Sequence, residues 1–493
     1  MCEGCEEAGG VSRRNFMALA GAALVLPQAS GEAGLQMPIR TALKVQPLLI
    51  YATPRRRESA SWRDWGGIQT EQDAAAEKER IAAELSRMKA AADFPLEVKP
   101  VLAAKTVEEA AKIGGGEHDL TITYAAGGVR LLEAATPQSK WNIVFLRHRS
   151  GPVYLWYEVV HSRYLRKTVD EFGQPGMTVH DVVVDNHDEV LWRLRALAGL
   201  KNTVGKKIIA VGGPSGWGAG GRDAPEKGKR IFQLDIHIVP YPELGERIKR
   251  ARKNDALVRR AKDGAAKYLG QKNVTLKTNR KFVENSFVLT EVFHELLDEA
   301  KTDAITINSC MGTIMPMAET SACLPLSLLN DKGYMAFCES DFVVIPSGIL
   351  LHYISGKPVF LNDPTWPHDN MVTIAHCTAP RKLNGTRDEP VTLLTHFESD
   401  YGASPKVEMA KGEKVTNIIP DFHAKRWVGF EGEVLGNPFL AICRSQTDVS
   451  IHGDNTKLLE EMGGFHWMTS YGSYLKETGY ALKKVGVDWL ALA

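Results

Sequence analysis

The segment that decides the fold begins Met335-Ala336-Phe337-Cys338-Glu339-Ser340-Asp341 and runs through an apolar stretch from Phe342 to Ile354. It turns at Ser355-Gly356-Lys357 and ends in Pro358-Val359-Phe360-Leu361-Asn362-Asp363. Each flanking run is short and apolar and closes on a carboxylate, while the stretch between them is long enough for a helix. The order strand, helix, strand places Glu339 and Asp363 at the carboxyl ends of neighbouring parallel strands. Ligand crevices of open α/β sheets form at that edge. Two carboxylates there suit a divalent metal, proton transfer, or both. Taken singly, Glu339 reads equally as a helix N-cap and Asp363 as a turn residue.

Upstream, strands alternate with helices. Pro47 to Ala52 reads as a first strand and Glu71 to Ala92 as a helix, with Ala74, Ile81, Leu85 and Met88 at helical spacing. Strands follow at 96–102, 120–124 and 142–146, with helices near 107–113, 129–134 and 189–200. A second unit starts at Lys207, with strands at 207–211, 233–239, 274–277, 304–307, 334–337 and 359–361 between helices. From Val372 the runs become short, β-rich and turn-bounded (391–397, 415–419, 426–434, 439–443), as in a barrel or sandwich. One helix, 471–484, closes the chain. The expected class is α/β: two doubly wound domains, at 47–204 and 205–371, and a β-rich, barrel-like domain at 372–493.

The chain's 493 residues allow several cores, and 44% apolar with 24% charged residues is ordinary for a globular protein. A net charge of +1 gives no reason to expect nucleic acid or an anionic membrane as partner. No stretch reaches the roughly 20 apolar residues that stable membrane insertion needs. Residues 1–31 read as a twin-arginine export signal: Ser12-Arg13-Arg14-Asn15-Phe16-Met17, then a short Ala/Leu/Gly run and small residues at Ala29, Ser30 and Gly31. A linker at 32–46 follows, and a periplasmic location is expected. Cys2 and Cys5 form a CxxC ahead of the arginine pair, too weak a signal for a zinc or iron–sulfur site. The other cysteines (Cys310, Cys323, Cys338, Cys377, Cys443) are odd in number and read as buried thiols rather than a disulfide framework.

Two further segments carry candidate ligands, Ile374-Ala375-His376-Cys377 and Gly463-Gly464-Phe465-His466-Trp467. Two carboxylates with one or two imidazoles make a mixed oxygen–nitrogen set suited to Mn²⁺, Mg²⁺ or a similar ion. The loop Gly212-Gly213-Pro214-Ser215-Gly216-Trp217-Gly218-Ala219-Gly220-Gly221 contains a literal GxGxxG. Arg222-Asp223-Ala224-Pro225 is expected to prevent a following helix, so no dinucleotide site is read and no organic cofactor is expected. A substrate-facing loop, with Trp217 as a sugar-stacking ring, is the alternative to a plain surface loop.

The succession Cys338-Glu339-Ser340-Asp341, Leu350-Leu351 to Asn362-Asp363, and Ile374-Ala375-His376-Cys377 resembles the metal-binding core of the L-fucose/L-arabinose isomerase superfamily. Gly463-Gly464-Phe465-His466 resembles that family's late metal histidine. The resemblance covers roughly residues 205 to 493. It implies Glu339, Asp363 and His466 as ligands of a divalent metal, Mn²⁺ foremost, with His376 a fourth ligand or a residue just behind them. It also implies that Glu339 and Asp363 carry a proton between C1 and C2 of an open-chain sugar through a cis-enediolate. A small carbohydrate and a homo-oligomer are the expected partners. Two other functions stay open: an exported sugar-binding protein without turnover, and a glycoside hydrolase or lyase using the same carboxylates.

Overall fold

The computed structural model describes residues 40–63, 65–155, 165 and 177–492. The export segment 1–31, Cys2 and Cys5 lie outside these residues. So does most of the expected linker, and the described part of it already contains the start of the first strand.

The fold is mixed α/β, with two parallel sheets and a closed six-stranded barrel. The first sheet holds β1 (Leu43–Ile50), β2 (Leu96–Val98), β3 (Leu102–Ala104), β4 (Leu120–Ala125), β5 (Trp141–Leu146) and β6 (Val182–Val184). Its order is β2-β1-β4-β5-β6, with β3 pairing β1 beyond β2 on the same edge. The expected strand 96–102 splits in two around Pro100, which cannot donate to the ladder. Helix Glu71–Ala91 starts where expected, on a Thr70/Asp73 capping box.

The second sheet holds β7 (Lys207–Val211), β8 (Asp235–Val239), β10 (Ala304–Ile307) and β11 (Met335–Phe337), all parallel, in the order β11-β10-β7-β8. The run β9 (Val274–Leu276), expected here, pairs instead with β14 (Val391–Leu394), whose other neighbour is β15 (Ser404–Val407). A helix does follow the glycine-rich loop, at Ala224–Phe232. Pro225 sits in its first turn, where a missing N–H costs nothing, and the expected helix break is thereby corrected.

The barrel is built from β12 (Phe360–Pro364), β13 (Met371–His376), β16 (Lys414–Ile419), β17 (Arg426–Gly436), β18 (Ser445–Ser450) and β19 (Trp467–Tyr471). They run antiparallel in the order β16-β19-β12-β13-β18-β17, and β17 pairs β16 to close the ring. β20 (Asp488–Leu492) adds to β17 in parallel. The expected strand 439–443 is irregular, and the final helix is Leu475–Lys483 rather than 471–484. Tyr471 ends β19, and Gly472, at φ +117°, turns the chain before the helix.

The largest correction concerns Asp363. Its strand β12 is not a parallel neighbour of β11 but an antiparallel member of the barrel, between β19 and β13. Beside β11 it would have gained one ladder, whereas in the barrel it has two, and its backbone groups are paired on both sides.

The helix between the two carboxylates, Ile345–Ser355, is buried along its whole length. It fixes the second sheet against the barrel, with Gly348 at the contact. A Cβ there would come within 2.5 Å of Met468 Cε on β19 and 2.7 Å of the Phe337 ring on β11. Gly348→Ala should therefore cost about 1–3 kcal/mol through overpacking, read as a lower midpoint in denaturant unfolding.

Candidate metal centre

Glu339, Asp363, His376 and His466 converge on one cavity of about 570 Å³. Three barrel strands supply three of them through their register. Asp363 pairs with Ala375, next to His376, and Asn362 pairs with Trp467, next to His466. Extending the β12–β19 ladder by one residue sets His466 opposite Asp363. Slipping either strand by one residue would turn the ligand side chains away, so the barrel register is part of the site.

Glu339 arrives from the other sheet, just past the carboxyl end of β11. The chain reverses there through two residues with left-handed backbone, Glu339 at φ +65° and Ser340 at φ +47°. Such conformations are costly for residues with a Cβ and persist where the surroundings impose them. The surroundings are the glycine-rich loop. Ser215 N–H donates to Ser340 C=O at 3.1 Å, and Phe342 N–H donates to Ser215 C=O at 3.0 Å. Trp217 N–H and Val343 N–H donate to Asp341 Oδ1 at 3.1 and 3.0 Å. Asp341, rather than Glu339, thus accepts bonds from the backbone leading into the helix, and Glu339 is left facing the cavity.

His466 is 1% exposed and lies among three carboxylates. Its Nδ1 is 2.6 Å from Asp341 Oδ2, while its Nε2 is 3.1 Å from Asp363 Oδ1 and 3.3 Å from Glu339 Oε2. Burial lowers its pKa, but bonds to Asp341, Asp363 and Glu339 outweigh it and push the value up to about 12. Glu339 answers in kind. Burial favours its neutral form, yet bonds from His376 and His466 hold its carboxyl well below the usual range. His376 is buried, with Nε2 3.5 Å from Glu339 Oε1 and Nδ1 3.1 Å from Thr378 Oγ1. Burial lowers its pKa too, but Glu339 and Asp363 leave it raised overall.

These residues fit a divalent cation. Asp363 Oδ1 and His466 Nε2 are buried and face each other at 3.1 Å as an ion pair that is not aligned as a hydrogen bond. Asp363, His376 and His466 bring ligand atoms within 4.8 Å of one another. Asp341 holds the far nitrogen of His466, as carboxylates behind metal-bound imidazoles do.

The four residues expected from the sequence are all brought together, but Glu339 and Asp363, expected on one sheet, come from the second sheet and the barrel. The role of Asp341 was not foreseen, and its placement two residues before a backbone N–H that it bonds is the signal that was there to find. Of the glycine-rich loop, Ser215, Gly216 and Trp217 line the cavity, and the Trp217 ring stacks on Phe465 at 4.0 Å. The five described cysteines are unpaired and all line the same cavity, which their apolar sequence surroundings did not announce. No helix among the described residues is long and apolar enough to cross a membrane. No protein-family model matches the chain, and a comparison with the curated proteins found no match.

Proposed function

We propose that this chain is a divalent-metal-dependent aldose–ketose isomerase acting on a small carbohydrate through a cis-enediolate. The observation that carries the reading is the buried Asp363 Oδ1 and His466 Nε2, 3.1 Å apart beside the Glu339 carboxylate at the edge of a sugar-sized cavity. Glu339, Asp363 and His466 would hold the ion, with His376 beside Glu339. Mn²⁺ suits the oxygen-rich set best. When bound, such an ion polarises a carbonyl as a Lewis acid.

The remaining work falls to side chains of this chain. Glu339 is kept ionised by its two histidines and is suited to take the proton from the carbon next to the carbonyl. Asp363 is placed to handle the hydroxyl proton on the neighbouring oxygen. His376, bonded to Glu339, steadies the carboxylate as its charge changes. The Trp217–Phe465 stack offers an apolar wall for the C–H face of a sugar.

The finer architecture follows the same reading: two doubly wound domains followed by the barrel, assembled as a homo-oligomer. Export by the twin-arginine route belongs to the proposal as well.

The test is solvent exchange at C2 of a panel of aldoses in D₂O, with Mn²⁺ added to metal-stripped protein. Exchange accompanied by ketose formation is the expected result. Metal-dependent sugar binding with no exchange would replace the enzyme with a binding protein. Glycosidic cleavage without ketose would point to a hydrolase or lyase.

A further inference from the structure

On the wall of the cavity next to the carboxylates stands a second donor set that the isomerase reading does not use. Cys323 is the first residue of helix Cys323–Asp331, Cys377 follows the last residue of β13, and His396 follows β14. All three are buried, and their ligand atoms lie within 4.8 Å of one another. Cys443 neighbours Cys377 but lies outside this group of three. Cys443 comes from the irregular segment before β18, in place of the strand expected there. His396 Nδ1 is 3.1 Å from Ser399 Oγ, which fixes the ring and leaves Nε2 as the nitrogen free to bind.

We propose that Cys323, Cys377 and His396 form a separate site for a thiophilic d¹⁰ cation, Zn²⁺ or Cu⁺. Two thiolates and one imidazole match the three-ligand Cys₂His zinc set, which leaves a fourth position open, and soft sulfur donors select these ions over Mn²⁺. Binding sends the thiol protons to solvent, so nothing is oxidised or reduced.

The placement has a consequence. Cys377 adjoins His376, so an ion here would tie β13 to the loop carrying His396 and to the head of helix Cys323–Asp331. The carboxylate centre would take the hard ion while the sulfur site takes the soft one, keeping a thiophilic metal off Glu339 and Asp363.

The experiment uses the full chain, purified under reductant and stripped with a chelator. Titration with Co²⁺, as a spectroscopic stand-in for Zn²⁺, should produce sulfur-to-cobalt charge-transfer absorption. That absorption should persist in Glu339→Gln, fall in His396→Ala and vanish in Cys377→Ser. The unmutated protein gives an independent reading: Zn²⁺, but not Mn²⁺, should protect Cys323 and Cys377 from iodoacetamide, mapped by mass spectrometry. Either of two results overturns the site: no charge-transfer absorption at cobalt saturation, or equal alkylation with and without zinc. A reduced protein that takes no zinc but crosslinks Cys377 to Cys323 or Cys443 under mild oxidant would replace the metal site with a redox pair. Because the residues differ from those of the carboxylate centre, failure here leaves the isomerase reading standing, and the reverse also holds.

Discussion

Replacing Glu339 with Gln or Asp363 with Asn should abolish C2 exchange and strip the protein of hard divalent metal, with the fold unchanged. Each substitution keeps the shape of the side chain and removes its charge. At Glu339 the loss is double. The neutral amide cannot serve as a base, and its Oε1 and Oε2 partners, His376 and His466, lose the anion that holds their protons. Removing a positioned acid–base group alone is worth roughly 10²–10⁴-fold in rate, and loss of the metal would take activity to the background. Asp363 should behave alike, because it brings an anionic oxygen to the same imidazole nitrogen from the barrel side. The checks are turnover, metal content by elemental analysis, and the thermal midpoint. Near-normal turnover in either variant with metal retained would rule out this centre. A folded, inactive variant that keeps its metal would reduce that residue to proton transfer alone.

The sequence made the local elements easy to read because their signals are local. The parallel strands β4, β5, β7 and β10 appear as short runs rich in apolar and β-branched residues, largely buried on both faces, at or within a residue of their observed bounds. Partner choice is a different matter. The run ending at Asp363 reads the same whether it lies beside β11 or between β19 and β13, since its place in the barrel depends on β19, more than a hundred residues away. The same holds for β9, a strand as expected but in the three-stranded sheet with β14 and β15. Glu339, Asp363, His376 and His466 could be picked out because residue type and neighbouring motif point to a ligand set. The bond of Asp341 to His466 and the Cys323–Cys377–His396 group could not. Their roles arise from side chains that meet only after the barrel has closed against the second sheet.

His466 should govern how the centre loads, and the prediction rests on its three carboxylates. Without metal the imidazole is held as a cation: its pKa is raised to about 12, against burial, by Asp341, Asp363 and Glu339. A metal ligand must offer a neutral nitrogen, so binding has to expel the proton on Nε2. Near neutral pH each divalent ion bound should release close to one proton, and affinity should rise about tenfold per pH unit. Calorimetry in buffers of different ionisation enthalpy measures both. The stability of the metal-free protein has the opposite slope. A folded-state pKa above the unfolded value near 6.5 gives a contribution fully present below that value and lost as pH climbs toward 12. His466→Ala should erase the proton release and weaken metal binding more than His376→Ala does, since His376 reaches only Glu339 among the carboxylates, at 3.5 Å. Asp341→Asn removes both orientation and charge. Its single oxygen cannot serve the Trp217 and Val343 N–H groups and Nδ1 together, the anion that completes the cluster is gone, and affinity should drop roughly 10–100-fold. Full metal occupancy without His466, or binding with no proton released, would remove this histidine from the ligand set.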